Sequence, residues 1–178
     1  KALLAASLVA LAFFGVRMVT TAQAYVAQDR LAQAALPALD KMPRAARVVF
    51  FSVKPCRTAW ALAALDHLSG AAMARRDAFV NDQWQAPGVN PLKVSFPAAE
   101  PFVRDPSHLV VREDCAETPN RPRLSRSLAQ LPRGVFTHIW IVGQYPKNLA
   151  PPEGYVAVPD AGSGLLFAAK TTDQAAAR

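Results

Sequence analysis

The beginning of the chain is its most uniformly apolar stretch. From Ala2 to Val16 it has no charged residue and one hydroxyl, that of Ser7, and weakly apolar residues follow the flanking Arg17. A helix rises about 1.5 Å per residue, so a hydrocarbon core of about 30 Å needs roughly 20 residues. Ala2–Thr21 has that length if Arg17 extends its guanidinium to the interface. The pattern predicts a transmembrane helix over residues 1–21.

Two other interpretations of this stretch stay open. Ala22-Gln23-Ala24 has the small-x-small form of a signal-peptide cleavage site, although Arg17 and a long gap separate it from the apolar core. Runs of this length also occur as buried core helices of soluble proteins. Because the chain begins with Lys1 rather than Met, we expect it to continue a longer membrane protein, of which this is the last span.

Helical spacing continues beyond the apolar stretch. Apolar residues such as Tyr25, Leu31 and Leu39 recur at intervals of three or four, while polar residues fill much of the opposite face. This pattern predicts an amphipathic connecting helix over residues 22–45, with a kink or a new turn at Pro37. We expect its apolar face to pack on the following domain rather than on the bilayer.

Short unbroken apolar runs then predict a sheet. Arg47–Val53 and Phe136–Gly143 are rich in β-branched and aromatic residues and are bounded by breakers, a pattern typical of strands buried on both faces. A helix is predicted over Ala59–Ser69, and a strand followed by a helix is the start of an α/β unit. Further predicted elements are strands at 92–96 and 108–111, a helix at 124–131, and a hairpin of 155–159 and 165–170 joined by the glycine-containing turn 160–164.

The predicted fold class is therefore α/β. The transmembrane helix continues into the amphipathic helix, and a small mixed-sheet α/β domain follows over residues 46–171. Residues 172–178 are polar and Ala-rich and are predicted to form a frayed tail.

Charge and turn chemistry exclude some functions. The net charge is +7, from 20 basic and 13 acidic residues, but no basic run exceeds two and no aromatic stripe alternates with them. We therefore expect no nucleic-acid partner, and the lipid bilayer is the simpler partner for a basic domain. The turn after the first strand reads Lys54-Pro55-Cys56-Arg57, which is not a dinucleotide-binding fingerprint, and no cofactor is expected.

The two cysteines, Cys56 and Cys115, form an even pair. Such a pair indicates a disulfide if the domain faces an oxidising compartment, and two buried free thiols are the alternative. Their spacing is far from CxxC and no histidine is close to either one in sequence, so no metal site is predicted.

The polar segment from His67 to Trp84, which overlaps the end of the predicted helix, holds the first group of candidate ligand-binding residues. Arginine binds phosphate in a bidentate manner, and tryptophan stacks on a sugar ring or a cation. The candidates for an anion or sugar site are His67, Arg75, Arg76, Asp77, Asn81, Asp82 and Trp84. The alternative is an ordinary solvated face, on which Asp77 pairs with an arginine and His67 is exposed or caps a helix.

The strand ends supply a second group of candidates. If Phe136–Gly143 lies parallel beside Arg47–Val53, then Lys54, Gln144 and Tyr145 share one edge of the sheet. Ligands of parallel α/β sheets gather at the carboxyl ends of the strands, so this edge is a candidate binding site.

The order of these segments resembles a known kind of protein. The resemblance rests on the runs PRAARVVFF (43–51), AMARRDAFVN (72–81) and FTHIWIVG (136–143), together with His67 and the apolar helix that precedes these runs. In this order the chain resembles the C-terminal extramembrane part of bacterial polytopic membrane proteins similar to lipid-linked-sugar glycosyltransferases. The resemblance covers most of the chain and rests on the order and texture of its segments.

The resemblance implies an accessory domain on the periplasmic side of the bacterial inner membrane, beside a core that acts on polyprenyl-phosphate sugars. In such proteins the catalytic acidic residues lie near the first membrane helices. That region would precede Lys1, so no catalytic residue is assigned, and any enzyme involved is a glycosyltransferase with its active site upstream. A free-standing exported or membrane-anchored binding module is the alternative. A small soluble hydrolase is third, since the chain lacks GxSxG and HExxH motifs.

Overall fold

The structure is a computed structural model that describes residues 2–56, 63–84, 93–103 and 105–170. Its α-helices are α1 (Ala2–Ala35), α2 (Gly70–Arg76) and α3 (Leu124–Ala129), and two short 3-10 helices cover Leu36–Lys41 and Pro97–Ala99. Its strands are β1 (Val48–Lys54), β2 (Leu109–Val111), β3 (His138–Gly143), β4 (Tyr155–Ala157) and β5 (Leu165–Ala169).

The strands form one mixed sheet of five strands in the order β2-β1-β3-β5-β4. β1 is parallel to both of its neighbours, β2 and β3, and its register places Val48 opposite His138 and Val53 opposite Gly143. β5 runs antiparallel to β3 and to β4, which completes the predicted hairpin. The predicted α/β class with a mixed sheet is confirmed.

The central strands are buried on both faces, which explains their unbroken apolar sequences. Successive side chains of a strand point to opposite faces. Phe50 and Trp140 therefore lie in one hydrophobic core, with ring centroids 5.1 Å apart, and Phe51 and Ile141 lie in the other. Every residue from Val48 to Val53 is buried.

Helix α1 is long and apolar enough to cross a membrane, and none of its most apolar window is buried in protein. By length and composition it has the properties of a membrane anchor or of a signal sequence. Its exposure gives no support to the third interpretation, that of a core helix buried in this domain.

The amphipathic segment packs on the domain later than predicted. Tyr25 and Leu31 are 61% and 50% exposed, and burial begins only at Ala35. The 3-10 helix Leu36–Lys41 then inserts Leu39 into the core. Gln28 and Leu31 face the sheet across a cavity, so among the residues of α1 only Ala35 is fully buried.

The end of α1 is nevertheless firmly joined to the domain. Pro37 lies in the first turn of the 3-10 helix, a position that tolerates its missing N–H, and this matches the predicted new turn. The N–H of Ser163, in the turn before β5, donates a hydrogen bond of 2.8 Å to the carbonyl of Ala34. A Cβ on Gly162 would lie 2.3 Å from the same carbonyl oxygen, so this turn requires glycine.

Two predicted elements differ from the structure. Residues 63–69 form turns and the helix begins only at Gly70, while the start of the predicted helix, residues 59–62, lies outside the described residues. Tertiary contacts override helix propensity here, because Asp66 and Ser69 are buried in side-chain hydrogen bonds. Residues 93–96 form no regular strand, and residue 92 lies outside the described residues.

The remaining short elements agree with expectation. The helix predicted at 124–131 is Leu124–Ala129, and the strand predicted at 108–111 is Leu109–Val111. The predicted tail, residues 172–178, lies outside the described residues. The proposed division into four segments stays a prediction.

Candidate functional site

The carboxyl ends of β1 and β3 border a cavity of about 390 Å³, within the range of small-molecule sites. Its opposite wall is the end of α1, which contributes Gln28, Leu31 and Ala35. The sheet side contributes polar and apolar residues: Ser52, Val53, Lys54, Pro55, Leu65, Val142, Gly143, Gln144 and Ser163. We call this space the α1 cavity.

Two polar residues that line the α1 cavity, Ser52 and Lys54, share one carboxylate behind the cavity wall, that of Asp66. Strand alternation places Ser52 and Lys54 on the same face of β1. The Ser52 hydroxyl donates a 3.0 Å hydrogen bond to Oδ1 of Asp66, and the Lys54 ammonium donates to the same oxygen. The turns at 63–69 bring Asp66 to this position. The result is a largely buried ion pair with an additional hydrogen bond, and its Lys54 and Ser52 members face the cavity.

Two of the three strand-end candidates line the α1 cavity, and the third packs against the hydrophobic core that contains Phe51 and Ile141. Lys54 and Gln144 both line the cavity, as their strand-end positions predict. The side chain of Gln144 accepts a 3.5 Å hydrogen bond from Arg112. Tyr145 instead packs against the second core, and its hydroxyl donates a 2.5 Å hydrogen bond to the carbonyl of Ser163. Burial raises the pKa of Tyr145, so it remains a neutral hydrogen-bond donor.

The candidates of the polar segment do not form one site. Arg76 pairs with Asp40 at 3.1 Å, and Asp77 pairs with Arg44, which joins the end of α2 to the segment after α1. Asp77 adopts a left-handed conformation that ends α2. Arg75 is exposed. These residues correspond to the solvated face considered above, where ion pairs contribute little stability.

The other members of that segment differ in their surroundings, and Asn81 is the one that contacts β1. Asn81 is fully buried, accepts a hydrogen bond of 2.7 Å from the N–H of Phe50, and donates one of 3.1 Å to Ser107. Its role is therefore to hold this segment against the sheet. Asp82 is also buried and accepts a hydrogen bond from Ser69. Trp84 is exposed.

Four side chains come together in a group: His67 and Asp82, which were candidates of the polar segment, and Asp105 and His108, which sequence reasoning did not name. We call them the histidine cluster. The two histidine rings lie 5.4 Å apart, and the carboxylates lie 3.7 Å from Nδ1 of His67 and 3.5 Å from Nδ1 of His108. Burial lowers the pKa of His108, against the opposing effect of Asp82 and Asp105. His108, which directly precedes β2, was visible in the sequence, but its proximity to His67 depends on the turns between them.

Cys56 and Cys115 form the predicted disulfide, with Sγ atoms 2.09 Å apart. It joins the residues after β1 to the loop after β2, so it fixes the carboxyl edge beside the α1 cavity. Disulfides of this kind are typical of domains outside the cytosol.

A second, larger cavity of about 670 Å³ lies at the opposite edge of the sheet, near the amino end of β3. Its described lining includes Phe136, Tyr155 and Lys170, and none of the residues predicted as ligand-binding. Its rim carries the exposed ion pair of Arg133 with Glu153, at 3.3 Å. The α1 cavity is lined by the buried Ser52, the half-buried Lys54 and the predicted Gln144, so the α1 cavity is the stronger candidate.

Comparison of this chain with protein-family models, curated proteins and solved structures found no match. The fold and the two groups of side chains described above are therefore the basis for inferring its function.

Proposed function

We propose that this chain is the periplasmic, membrane-anchored part of an inner-membrane protein that resembles lipid-linked-sugar glycosyltransferases. In this proposal α1 spans the membrane, and the α1 cavity holds the headgroup of a polyprenyl-phosphate sugar beside the catalytic core. The observation that carries the proposal is that α1 itself forms one wall of the cavity, through Gln28, Leu31 and Ala35.

The position of this wall suits a headgroup. Gln28 lies seven positions after Thr21, which corresponds to about 10 Å along the helix. The polar layer on each side of a bilayer is about 5–7 Å thick. A sugar attached to a lipid phosphate would therefore project from the headgroup layer to the height of the α1 cavity.

The side chains of the cavity suit a sugar as well. Lys54 and Ser52 offer an ammonium and a hydroxyl to ligand hydroxyls, Gln144 adds an amide, and Asp66 holds Lys54 in place from behind. Leu31 and Val142 provide an apolar wall for the ring. Because Lys54 and Asp66 neutralise each other, the cavity favours a hydroxyl-rich group, while the net charge of +7 attracts the phosphate.

The experiment is a binding titration of the full chain in lipid nanodiscs, read out by native mass spectrometry. The ligands are a polyprenyl-phosphate sugar, the polyprenyl phosphate without sugar, and phosphatidylglycerol. The test variant is Lys54→Gln with Asp66→Asn, which removes both charges together and leaves no unpaired one. The matched control is Lys170→Gln, which removes a lysine that lines the larger cavity.

We expect the sugar-bearing lipid to bind best to the unmodified chain and to lose at least tenfold in affinity in the double variant. The Lys170→Gln control should bind like the unmodified chain. Equal binding of all three lipids, or equal loss in the control, would contradict the proposal.

A free-standing exported module is the second candidate, and one observation favours it. Ala22, Gln23 and Ala24 are all exposed on α1, so the domain does not cover this small-x-small motif, and cleavage there requires only that the helix unwinds locally. N-terminal sequencing of the protein isolated from its native cells separates the two candidates. A mature N-terminus at Tyr25 supports the exported module, whereas an intact α1 supports the anchored domain.

A further inference from the structure

The buried imidazole of His108 lacks the partners that such a group requires. His108 is 0% exposed, and among the described residues neither ring nitrogen has a hydrogen-bond partner. A neutral imidazole carries one donor and one acceptor, and leaving both unpaired in the interior is unfavourable. Oδ1 of Asp105 lies 3.5 Å from Nδ1 of His108, in a contact that does not meet hydrogen-bond geometry.

The surrounding groups have the geometry of metal ligands. His67, Asp105 and His108 each offer one ligand atom, and these three atoms lie within 4.8 Å of one another. In a tetrahedral zinc site with bonds of about 2.1 Å, neighbouring ligand atoms are about 3.4 Å apart. The 3.5 Å between Asp105 and His108 already matches this separation. His67, whose side chain is 69% exposed on a turn, is free to make the remaining small adjustment.

We propose that His67, Asp105 and His108 bind a divalent transition-metal ion, with Zn²⁺ as the best match to the ligands. Two imidazoles and one carboxylate suit zinc, and three protein ligands with an open fourth position are typical of zinc sites that hold water or a substrate. The proposal is independent of the lipid-linked sugar proposed above.

The residues around the cluster support this arrangement. Oδ2 of Asp82 lies 3.7 Å from Nδ1 of His67 and accepts a hydrogen bond from Ser69, and carboxylates in this position orient metal-binding imidazoles. The backbone of His108 is fixed to β1, since its carbonyl accepts a 2.9 Å hydrogen bond from the N–H of Ser52. A metal ion would therefore join the turn before α2 to the segment before β2.

A second group of the described residues also has three ligand atoms within 4.8 Å of one another, but this group cannot bind a metal ion. It consists of Cys56, Asp114 and Cys115. Both of its sulfur atoms belong to the disulfide, so it contains no thiolate to bind a metal.

The test uses the full chain in detergent, without a histidine tag and after removal of metal by a chelator. Zn²⁺ is titrated by calorimetry, and Co²⁺ is added separately to record the visible absorption of a tetrahedral site. We expect one equivalent of Zn²⁺ to bind, with a micromolar or lower Kd, and to raise the Tm.

The variants separate this site from adventitious binding. His67→Ala changes an exposed side chain and should leave the fold intact by circular dichroism, while it weakens Zn²⁺ binding at least tenfold and removes the cobalt absorption. His138→Gln, which changes the one histidine outside the cluster, should retain both signals. The proposal is overturned if the unmodified chain binds no Zn²⁺, or if His67→Ala binds it with unchanged affinity.

Discussion

Lys54 and Asp66 form an ion pair at the carboxyl end of β1, and both side chains are mostly buried, with exposed fractions of 14% and 12%. Ser52 donates to the same oxygen of Asp66 that receives the Lys54 hydrogen bond. Charges removed from water in this way depend on each other, because either one alone would lose its solvation without compensation. The pair therefore contributes to the site and to stability only as a unit.

The first prediction is that Asp66→Asn lowers the free energy of unfolding by about 2–4 kcal/mol, because it leaves Lys54 charged and largely buried. The double variant Lys54→Met with Asp66→Leu should recover most of this loss. Denaturant unfolding of the full chain in detergent measures both effects. The matched control is Asp77→Asn, which breaks the exposed pair with Arg44 and should change the free energy by less than about 1 kcal/mol. Equal effects of Asp66→Asn and Asp77→Asn would contradict the prediction.

The second prediction concerns Gly143, where β3 meets β1. Its φ is +91°, and an added Cβ would lie 2.4 Å from the carbonyl oxygen of Val53. Gly143→Ala should therefore lower the free energy of unfolding by at least about 2 kcal/mol, from backbone strain and from displacement of β1. Gly134→Ala is the control, since Gly134 has a φ of +71° but open space around it. If thermal unfolding shows the same loss of stability for both variants, the contact between the added Cβ and the Val53 carbonyl does not contribute to the effect of Gly143→Ala, and the prediction is wrong.

The sequence predicted the sheet because its central strands are buried on both faces and therefore have unbroken apolar sequences. The runs around Phe50 and Trp140 indicate strands without knowledge of their neighbours. The positions of Lys54 and Gln144 followed from the same strands, since the end of a parallel strand determines the edge that its next residue occupies.

The histidine cluster could not be predicted in this way. His67 lies in a turn that was predicted as helix, and Asp105 and His108 follow a Pro-rich stretch with little periodicity. These side chains come close to one another only through tertiary hydrogen bonds, such as the bond that the Ser52 N–H donates to the His108 carbonyl. Local patterns contain no information about such contacts, so His67 showed no shared signal with Asp105 and His108, which lie about 40 residues later.

The third prediction concerns the disulfide between Cys56 and Cys115, which closes a loop with a sequence separation of 59. Constraint of the unfolded chain by a loop of this size corresponds to about 4 kcal/mol in the loop-entropy model. Cys56→Ser with Cys115→Ser should therefore lower the Tm markedly, and reductant should lower the Tm of the unmodified chain in the same way. The double variant itself should not respond to reductant. An unmodified chain with the same Tm with and without reductant would contradict a stabilising disulfide.

The fourth prediction is a loss of stability in mild acid that involves His138. Burial lowers the pKa of His138 below its ordinary value of 6.5. Below that pH the unfolded chain binds a proton that the folded chain does not, so the free energy of unfolding falls as the pH decreases from about 7 toward 5. A single such histidine contributes at most about 1.4 kcal/mol per pH unit. His138→Gln should reduce this slope when unfolding is measured across the range. Between pH 7 and 9 the curves of the variant and the unmodified chain should run parallel, because the imidazole is neutral in both states. Identical slopes below pH 6 would show that His138 takes up its proton equally well in the folded chain.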